Sequence, residues 1–359
     1  MGGWRIMSAV QTIRAGKVRL AYVDDRMPGI TRSKAGAGAD SGWAYSDALG
    51  NRIVDRDEID RLNRIALPPG YGDAWFCPSP DGHILATGID AKGRKQYRYH
   101  PDFRSHRDGE KFDGTARFGR LLPLVRKRVE DDLRGGKLSR ERALGSVVRL
   151  LDTGGIRVGN AAYARDNNSF GATTLQMRHA VVSGTRLKLR FKAKSGQLRE
   201  MTITDKSLTR FVKAMQDLPG QHLFQYIAAD GEACPVGSSE VNDYLREAMG
   251  EDFTAKHFRT WHASALGLQL LAEAEGTLTV KALSSLVAER LGNIPTIARK
   301  SYIHPAVLAL VDGQIKWRAK FKPPRATRWL SPHERALIAL LEKAPRAAKL
   351  LGAARLLAA

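Results

Sequence analysis

Cysteine is scarce in this sequence. Cys77 and Cys234 are the two present, they lie far apart, and no Cys-x-x-Cys occurs. A disulfide scaffold or a structural zinc site is therefore not expected, and a reducing cytoplasm fits best. Long apolar runs are missing too: none approaches the roughly 20 residues that a membrane helix needs. The first residues, MGGWRIMSAVQTIRAGKVRL, have no sustained apolar core, so no secretory signal is expected there. Neither G-x-x-x-x-G-K-S/T, H-E-x-x-H nor G-x-S-x-G is present, which removes the P-loop, zinc-peptidase and serine-hydrolase signatures. Asp152-Thr-Gly-Gly-Ile-Arg-Val-Gly159 is glycine-rich, but it follows a helical pattern and lacks dinucleotide spacing. Asp24-Asp25 is an isolated acidic pair that reads as a loop feature. With no cluster of acidic metal ligands, any cutting of nucleic acid is expected to proceed without a metal, and no cofactor is implied.

Negative charge is the other deficit. There are 37 Asp plus Glu against 58 Lys plus Arg, a formal net charge of +21. A polyanionic partner explains such an excess, because each cation that neutralises a phosphate releases counterions. Charge alone leaves open a solvated basic protein or an RNA-binding one. The 43% hydrophobic and 26% charged fractions are those of a globular chain whose length suits two or three domains.

The patterning predicts an α+β protein in four parts: a loose arm over 1–20, a β-rich domain over 21–108, a mainly helical domain with a small sheet over 109–322, and a basic extension over 323–359. In the second part, turns at Asp47–Gly50, Pro68–Gly70, Pro80–Gly82 and Ala91–Gly93 separate short strands. One helix is predicted near Asp57–Ile65, and a charged loop, Phe103–Glu110, closes the part. Helices follow over Arg117–Arg134, where Leu121, Leu124 and Val125 form a stripe, and over Ser139–Asp152. Between Thr185 and Thr204, Leu187, Leu189 and Phe191 alternate with Lys188, Arg190 and Lys192. Lys194-Ser-Gly-Gln197 then turns the chain into a second strand, predicting a β-hairpin. Further helices are predicted over 208–218, 240–249, 257–275 and 280–291, the last with Leu283, Leu286, Val287 and Leu291 as its stripe. Ser331-Pro-His-Glu334 has capping-box spacing.

Metal-free phosphoryl transfer needs fixed cations for the charge that builds on the non-bridging oxygens, an in-line nucleophile, and a proton for the leaving oxygen. Guanidinium suits the first role and lysine the last. A tyrosine nucleophile has a reference pKa of about 10, so ionising it at pH 7 costs roughly 4 kcal/mol, which neighbouring arginines would reduce. Such a tyrosine belongs late in a cation-rich helical domain. Tyr302 lies there, in Leu291-Gly-Asn-Ile-Pro-Thr-Ile-Ala-Arg-Lys-Ser-Tyr302-Ile-His-Pro305. Upstream stand Ile156-Arg157-Val-Gly-Asn160, the Lys194 turn, and Lys256-His-Phe-Arg259-Thr-Trp-His262.

These elements, in this order, resemble the type IB DNA topoisomerases in their poxvirus-like bacterial form, over about residues 20–320. The resemblance implies a monomeric clamp on double-stranded DNA, located at the nucleoid, that relaxes supercoils without ATP or metal. Tyr302 would form a 3′-phosphotyrosyl bond and release a 5′-hydroxyl. Arg157 and Arg259 would hold the scissile phosphate, and Lys194 would protonate the leaving oxygen. Asn293 stands where many members carry histidine; it can donate a hydrogen bond but no proton, so its role would be transition-state stabilisation. Gln96, Tyr97 and Tyr99 resemble the segment that faces the major groove, and Tyr163 and Lys256 resemble further DNA contacts. Asn167–Thr174 resembles the family as a structural segment, and structural or DNA-contact roles are favoured for His262 and His304. Taken singly, each residue has an ordinary role: Tyr302 in a core, Arg157 near a helix end, Lys194 in a turn, Arg259 in a surface ion pair, Tyr97 and Tyr99 on one strand face. Two other readings stand beside this one, a tyrosine site-specific recombinase and a non-enzymatic architectural DNA binder.

Overall fold

The computed structural model describes residues 11–15, 18–34, 42–135, 138–216, 218 and 220–356. The chain divides into two compact units, Met1–Glu110 and Lys111–Ala359.

The first unit begins with a hairpin of β1 (Thr12–Ala15) and β2 (Val18–Ala21), which continues to β3 (Ile30–Lys34), β4 (Trp43–Ser46), α1 (Arg56–Arg64), β5 (Gly72–Phe76), β6 (Ile84–Ile89) and β7 (Lys95–Tyr99). The last five strands form one antiparallel sheet in the order β4-β3-β5-β6-β7. Ile30, Tyr45, Ala74, Phe76 and Ala86 from the sheet pack with Leu62 of α1 in a single core. Asp55 caps α1, accepting from the backbone N–H of Asp57. The first hairpin corrects the expected loose arm. Leu20 is fully buried beside Phe103, with Ile13 and Val18 around them, so these residues have a core to join. The rest of that arm, residues 1–10 and 16–17, lies outside the described residues.

A second correction concerns Phe103–Glu110, which is helical within α2 (Pro101–Asp113). Pro101 and Asp102 suit a first turn. His106 and Arg107 then meet Glu110 at 3.2 and 3.6 Å, the spacings that a helix surface brings together. These contacts add a few tenths of a kcal/mol each, and burial of Phe103 and Phe112 supplies the rest against Gly109, whose cost in a helix is about 1 kcal/mol.

The second unit contains α3 (Thr115–Arg134), α4 (Arg140–Gly154), α5 (Ala161–Asn167), β8 (Ala180–Ser183), β9 (Arg186–Lys192), β10 (Leu198–Thr204), α6 (Lys206–Gln216), β11 (Gln225–Ile227), β12 (Ala233–Pro235), α7 (Ser238–Met249), α8 (Ala255–Glu273), α9 (Val280–Leu291), α10 (Pro295–Ser301), α11 (Pro305–Ala309), α12 (Gln314–Lys320), α13 (Pro332–Lys343) and α14 (Ala347–Leu356). Its core gathers Phe118, Leu122, Val125 and Val129 of α3, Val147, Val148 and Leu151 of α4, and Phe258 and Trp261 of α8. The buried stripe of α3 is rotated from the predicted one, leaving Leu124 half exposed, and Leu286 of α9 is exposed likewise. Gly119 is needed for contact, since a Cβ there would stand 2.2 Å from the Trp261 ring.

The predicted hairpin is present as β9 and β10, with β8 added beside β9. Leu187, Leu189 and Phe191 are buried, while the alternating cations are exposed. At its tip Ser195 and Gly196 both take positive φ, 67° and 73°, which tightens the turn at Lys194. The C-terminal residues join this unit: α13 packs on α3 and α8, and Leu337 is fully buried. Among the described residues no helix is long and apolar enough to cross a membrane.

Candidate active site

Helix α4 ends at Gly155, whose left-handed backbone (φ 56°) turns the chain outward and whose N–H returns to the Leu151 carbonyl. Buried Ile156 anchors the next step, and Arg157 follows. The backbone there is pinned by the segment expected to be structural: Ala172 N–H donates to the Arg157 carbonyl at 2.8 Å, and Thr173 N–H to that of Val158 at 2.7 Å. Helix α9 ends in the same manner, at left-handed Gly292, and Asn293 follows. Arg157 Nη2 donates to Asn293 Oδ1 at 2.8 Å. Because guanidinium offers donors alone, this contact fixes the amide and leaves its NH₂ turned elsewhere.

Arg259, in the first turns of α8, is buried. It donates to the carbonyl of Gly155 at 2.5 Å and to that of Leu291 at 3.0 Å, tying the ends of α4 and α9 together. Its guanidinium carbon lies 4.9 Å from the centre of the Tyr302 ring. Tyr302 is half-buried at the C-terminus of α10, its N–H bonded to the Ala298 carbonyl at 3.0 Å. The predicted residues thus form two contacting pairs, Arg157 with Asn293 and Arg259 with Tyr302, joined through the ends of α4 and α9. Lys194 is exposed at the hairpin tip, and its charge reaches Tyr302.

The electrostatics are one-sided. Burial raises the Tyr302 phenol, but Arg259, by charge and hydrogen bond, together with Arg157 and Lys194, outweighs it and brings the pKa below 10. Arg259 is itself lowered, chiefly by burial and then by Arg157. Three buried donors here have no partner among the described residues: Arg259 Nε, Arg199 Nε and Asn293 Nδ2. Leaving such a donor unsatisfied costs about 1–3 kcal/mol. Arg259 Nε and Asn293 Nδ2 can therefore donate to an anion that enters the cluster.

Arg199 of β10 was not picked out from the sequence. It reaches the carbonyls of Gly154 and Arg290, both at 3.1 Å. A signal was available: Arg199 pairs with buried Phe191 and falls in the period-two series with Met201 and Ile203, so it faces inward. Lys111 and Ser264 were missed as well. Lys111 Nζ donates to the Ser301 carbonyl at 2.5 Å, one residue before Tyr302. Buried Ser264 accepts from the N–H of His304 at 2.9 Å. Both contacts span long sequence separations that no local pattern announces.

His304 caps α11, its Nδ1 accepting from Ala306 N–H at 3.0 Å, and burial lowers its pKa to about 4. It is therefore neutral and structural. His262 is also lowered by burial, against the pull of Asp152 at 3.7 Å. Tyr163 is half-buried on α5 and Lys256 is exposed at the start of α8. In the first unit, Tyr97 and Tyr99 are exposed on edge strand β7 with rings stacked at 5.7 Å, and Tyr99 stacks on Phe103 at 5.7 Å. Tyr22, His83, Arg104 and Arg107 complete this groove. Gln96 alternates to the other face and donates to Asp90 at 2.9 Å.

Residues 100–317 match the family model described as the catalytic core of eukaryotic DNA topoisomerase I, and residues 42–90 match that of the N-terminal domain of bacterial DNA topoisomerase IB. DNA topoisomerase 1B of Acanthamoeba polyphaga mimivirus is 30% identical over 298 residues, which covers 79% of this chain and 88% of the relative. DNA topoisomerase 1 of Mycosarcoma maydis is 26% identical over 203 residues, 50% of this chain and 20% of that longer protein.

Proposed function

Since the chain belongs to the type IB DNA topoisomerases, we propose that Tyr302 is the nucleophile by which it relaxes supercoiled duplex DNA. The phenolic oxygen attacks the scissile phosphorus, a 3′-phosphotyrosyl bond forms, and the bond to the 5′ oxygen breaks. Lys194 protonates that oxygen as it leaves. Arg157 and Arg259 hold the non-bridging oxygens in forked donor geometry, and the free amide N–H of Asn293 adds a neutral donor. Torsion turns the DNA about its intact strand, the 5′-hydroxyl attacks back, and the strand is resealed. Bond energy is kept in the phosphotyrosine, so neither ATP nor a metal is called for.

The observation that carries this reading is the cluster of guanidiniums around a half-buried tyrosine, with no carboxylate among the described residues acting on Arg259 or Tyr302. That arrangement suits a phosphate diester and lowers the cost of ionising the phenol. In the first unit, the tyrosine groove with Arg104 and Arg107 is our candidate for duplex contact, with Gln96 at base edges once released from Asp90. Tyr163 and Lys256 add contacts near the cleavage site. The two units would close on the duplex as a clamp formed by one chain, working at the nucleoid.

The test is incubation with negatively supercoiled plasmid in EDTA without ATP, wild type beside Tyr302→Phe. Relaxed topoisomers and a covalent adduct are expected from the wild type alone, with DNA binding retained by the variant. Relaxation by Tyr302→Phe would refute the assignment.

A further inference from the structure

Arg199 has no part in the chemistry just set out, yet it occupies the inner face of the hairpin that carries Lys194. Its two backbone acceptors, Gly154 and Arg290, immediately precede Gly155 and Leu291, the acceptors of Arg259. Two guanidiniums thus grip the same two helix ends. From each end the chain runs three residues onward to a member of the phosphate clamp, Arg157 from Gly154 and Asn293 from Arg290. Gly292 leaves room for the arrangement: a Cβ there would stand 2.2 Å from Arg199 Nη1. On its own strand Arg199 lies five residues beyond Lys194, across a turn whose tip is otherwise exposed.

Arg199 is held there against its electrostatic preference. Burial, then Arg259, Arg157 and Arg290, bring its pKa down to about 10. A charge kept under those conditions for two carbonyl contacts is consistent with a role in holding geometry.

We infer that Arg199 is a positioning residue for Lys194, fastening the strand that leaves the Lys194 turn to the two helix ends that present Arg157 and Asn293. The proton donor and the phosphate clamp then keep a fixed separation while DNA is bound. This inference rests on the proposed role of Lys194 as proton donor.

Replacing the 5′ bridging oxygen by sulfur separates the possibilities, because a thiolate leaves without needing a proton. Single-turnover cleavage would be measured on oxygen and sulfur duplexes for wild type, Lys194→Ala, Arg199→Met and Arg199→Lys. Lys194→Ala should be slow on oxygen and restored on sulfur. Arg199→Met should lose on the order of 10²-fold on oxygen, as misplacement of a catalytic group does. It should bind DNA normally and recover on the sulfur duplex. Arg199→Lys, which can keep one carbonyl contact and disturbs folding least, should lie between and recover likewise. Equal slowing of both Arg199 variants on the two duplexes would place Arg199 in the phosphate clamp and overturn the inference. Unchanged rates on oxygen would also overturn it. If Lys194→Ala itself is not restored by sulfur, the donor assignment fails and the inference falls with it. If Lys194→Ala is restored and the Arg199 variants are not, the inference alone fails.

Discussion

Two arginine clusters meet the C-terminal end of α4, and they are satisfied in opposite ways. Arg126 is enclosed by carboxylates. It pairs with Asp152 through Nε and Nη2 at 2.8 and 3.0 Å, and with Glu334 through Nη2 and Nη1 at 2.7 and 3.0 Å. Trp261 Nε1 donates to the same Glu334 at 3.0 Å. Burial disfavours the Arg126 charge, but Asp152 and Glu334 more than compensate and raise its pKa. Arg157, Arg199 and Arg259 reach carbonyls and one amide instead, and Arg199 and Arg259 are lowered. The first cluster is complete without a ligand and fastens α13 to α3, α4 and α8. In the second, Arg259 Nε and Asn293 Nδ2 have no partner among the described residues and can donate to an anion. Burial of an arginine does not by itself distinguish scaffold from site; the sign of its neighbours does.

Two variants, acid and a bound anion would break or sharpen this contrast. Arg126→Met strands two buried carboxylates and should cost about 3–5 kcal/mol of stability, read by denaturant unfolding. Acid should act in the same direction. Glu334 is held at about 2, below its ordinary 4.5, so its contribution is full above pH 4.5 and is lost as pH falls toward 2. A stability unchanged by Arg126→Met would mean that the ion cluster is dispensable.

Arg157→Ala should do the reverse, lowering single-turnover cleavage by about 10²–10³-fold while leaving unfolding unchanged or slightly favouring the fold, since it relieves repulsion with Arg259. Marked destabilisation would show that Arg157 is part of the scaffold. The smallest effect is that of sulfate as a stand-in for phosphate: at tenfold its dissociation constant it should stabilise the wild type by about 1.4 kcal/mol. Arg157→Ala should respond less, and an equal response would mean that sulfate acts by general exclusion from the surface.

Much of this was legible along the chain, for definite reasons. The alternation of Leu187, Leu189 and Phe191 predicts β9, and the Ser331–Glu334 capping box is present with Ser331 Oγ accepting from Glu334 N–H at 3.2 Å. Arg157, Arg259, Asn293 and Tyr302 are legible as candidates through the order of their segments, which resembles the type IB enzymes; phosphoryl chemistry asks for the guanidiniums and the tyrosine but not for an asparagine at 293. Helix α2 was not legible, because its stability comes from ion pairs and from burial of Phe103 and Phe112, not from an apolar stripe. Strand β8 is too short to show a period. Recombinases share the same chemistry, and what separates this chain from them is that its residues 42–90 and 100–317 both match topoisomerase models, not the site residues alone.

The contact of Lys111 with the carbonyl of Ser301 bears on where the chain can be cut. Its neighbours in the last turn of α2 behave alike: Phe112 packs edge-on against His304 at 5.4 Å, and Asp113 accepts from Ala347 N–H at 2.7 Å. Three consecutive residues at the entrance to the second unit therefore brace the two flanks of Tyr302 and the last helix. A fragment trimmed to begin at α3 would keep every residue proposed to touch phosphate and still lose the support of Tyr302. The minimal fragment must start upstream of Lys111.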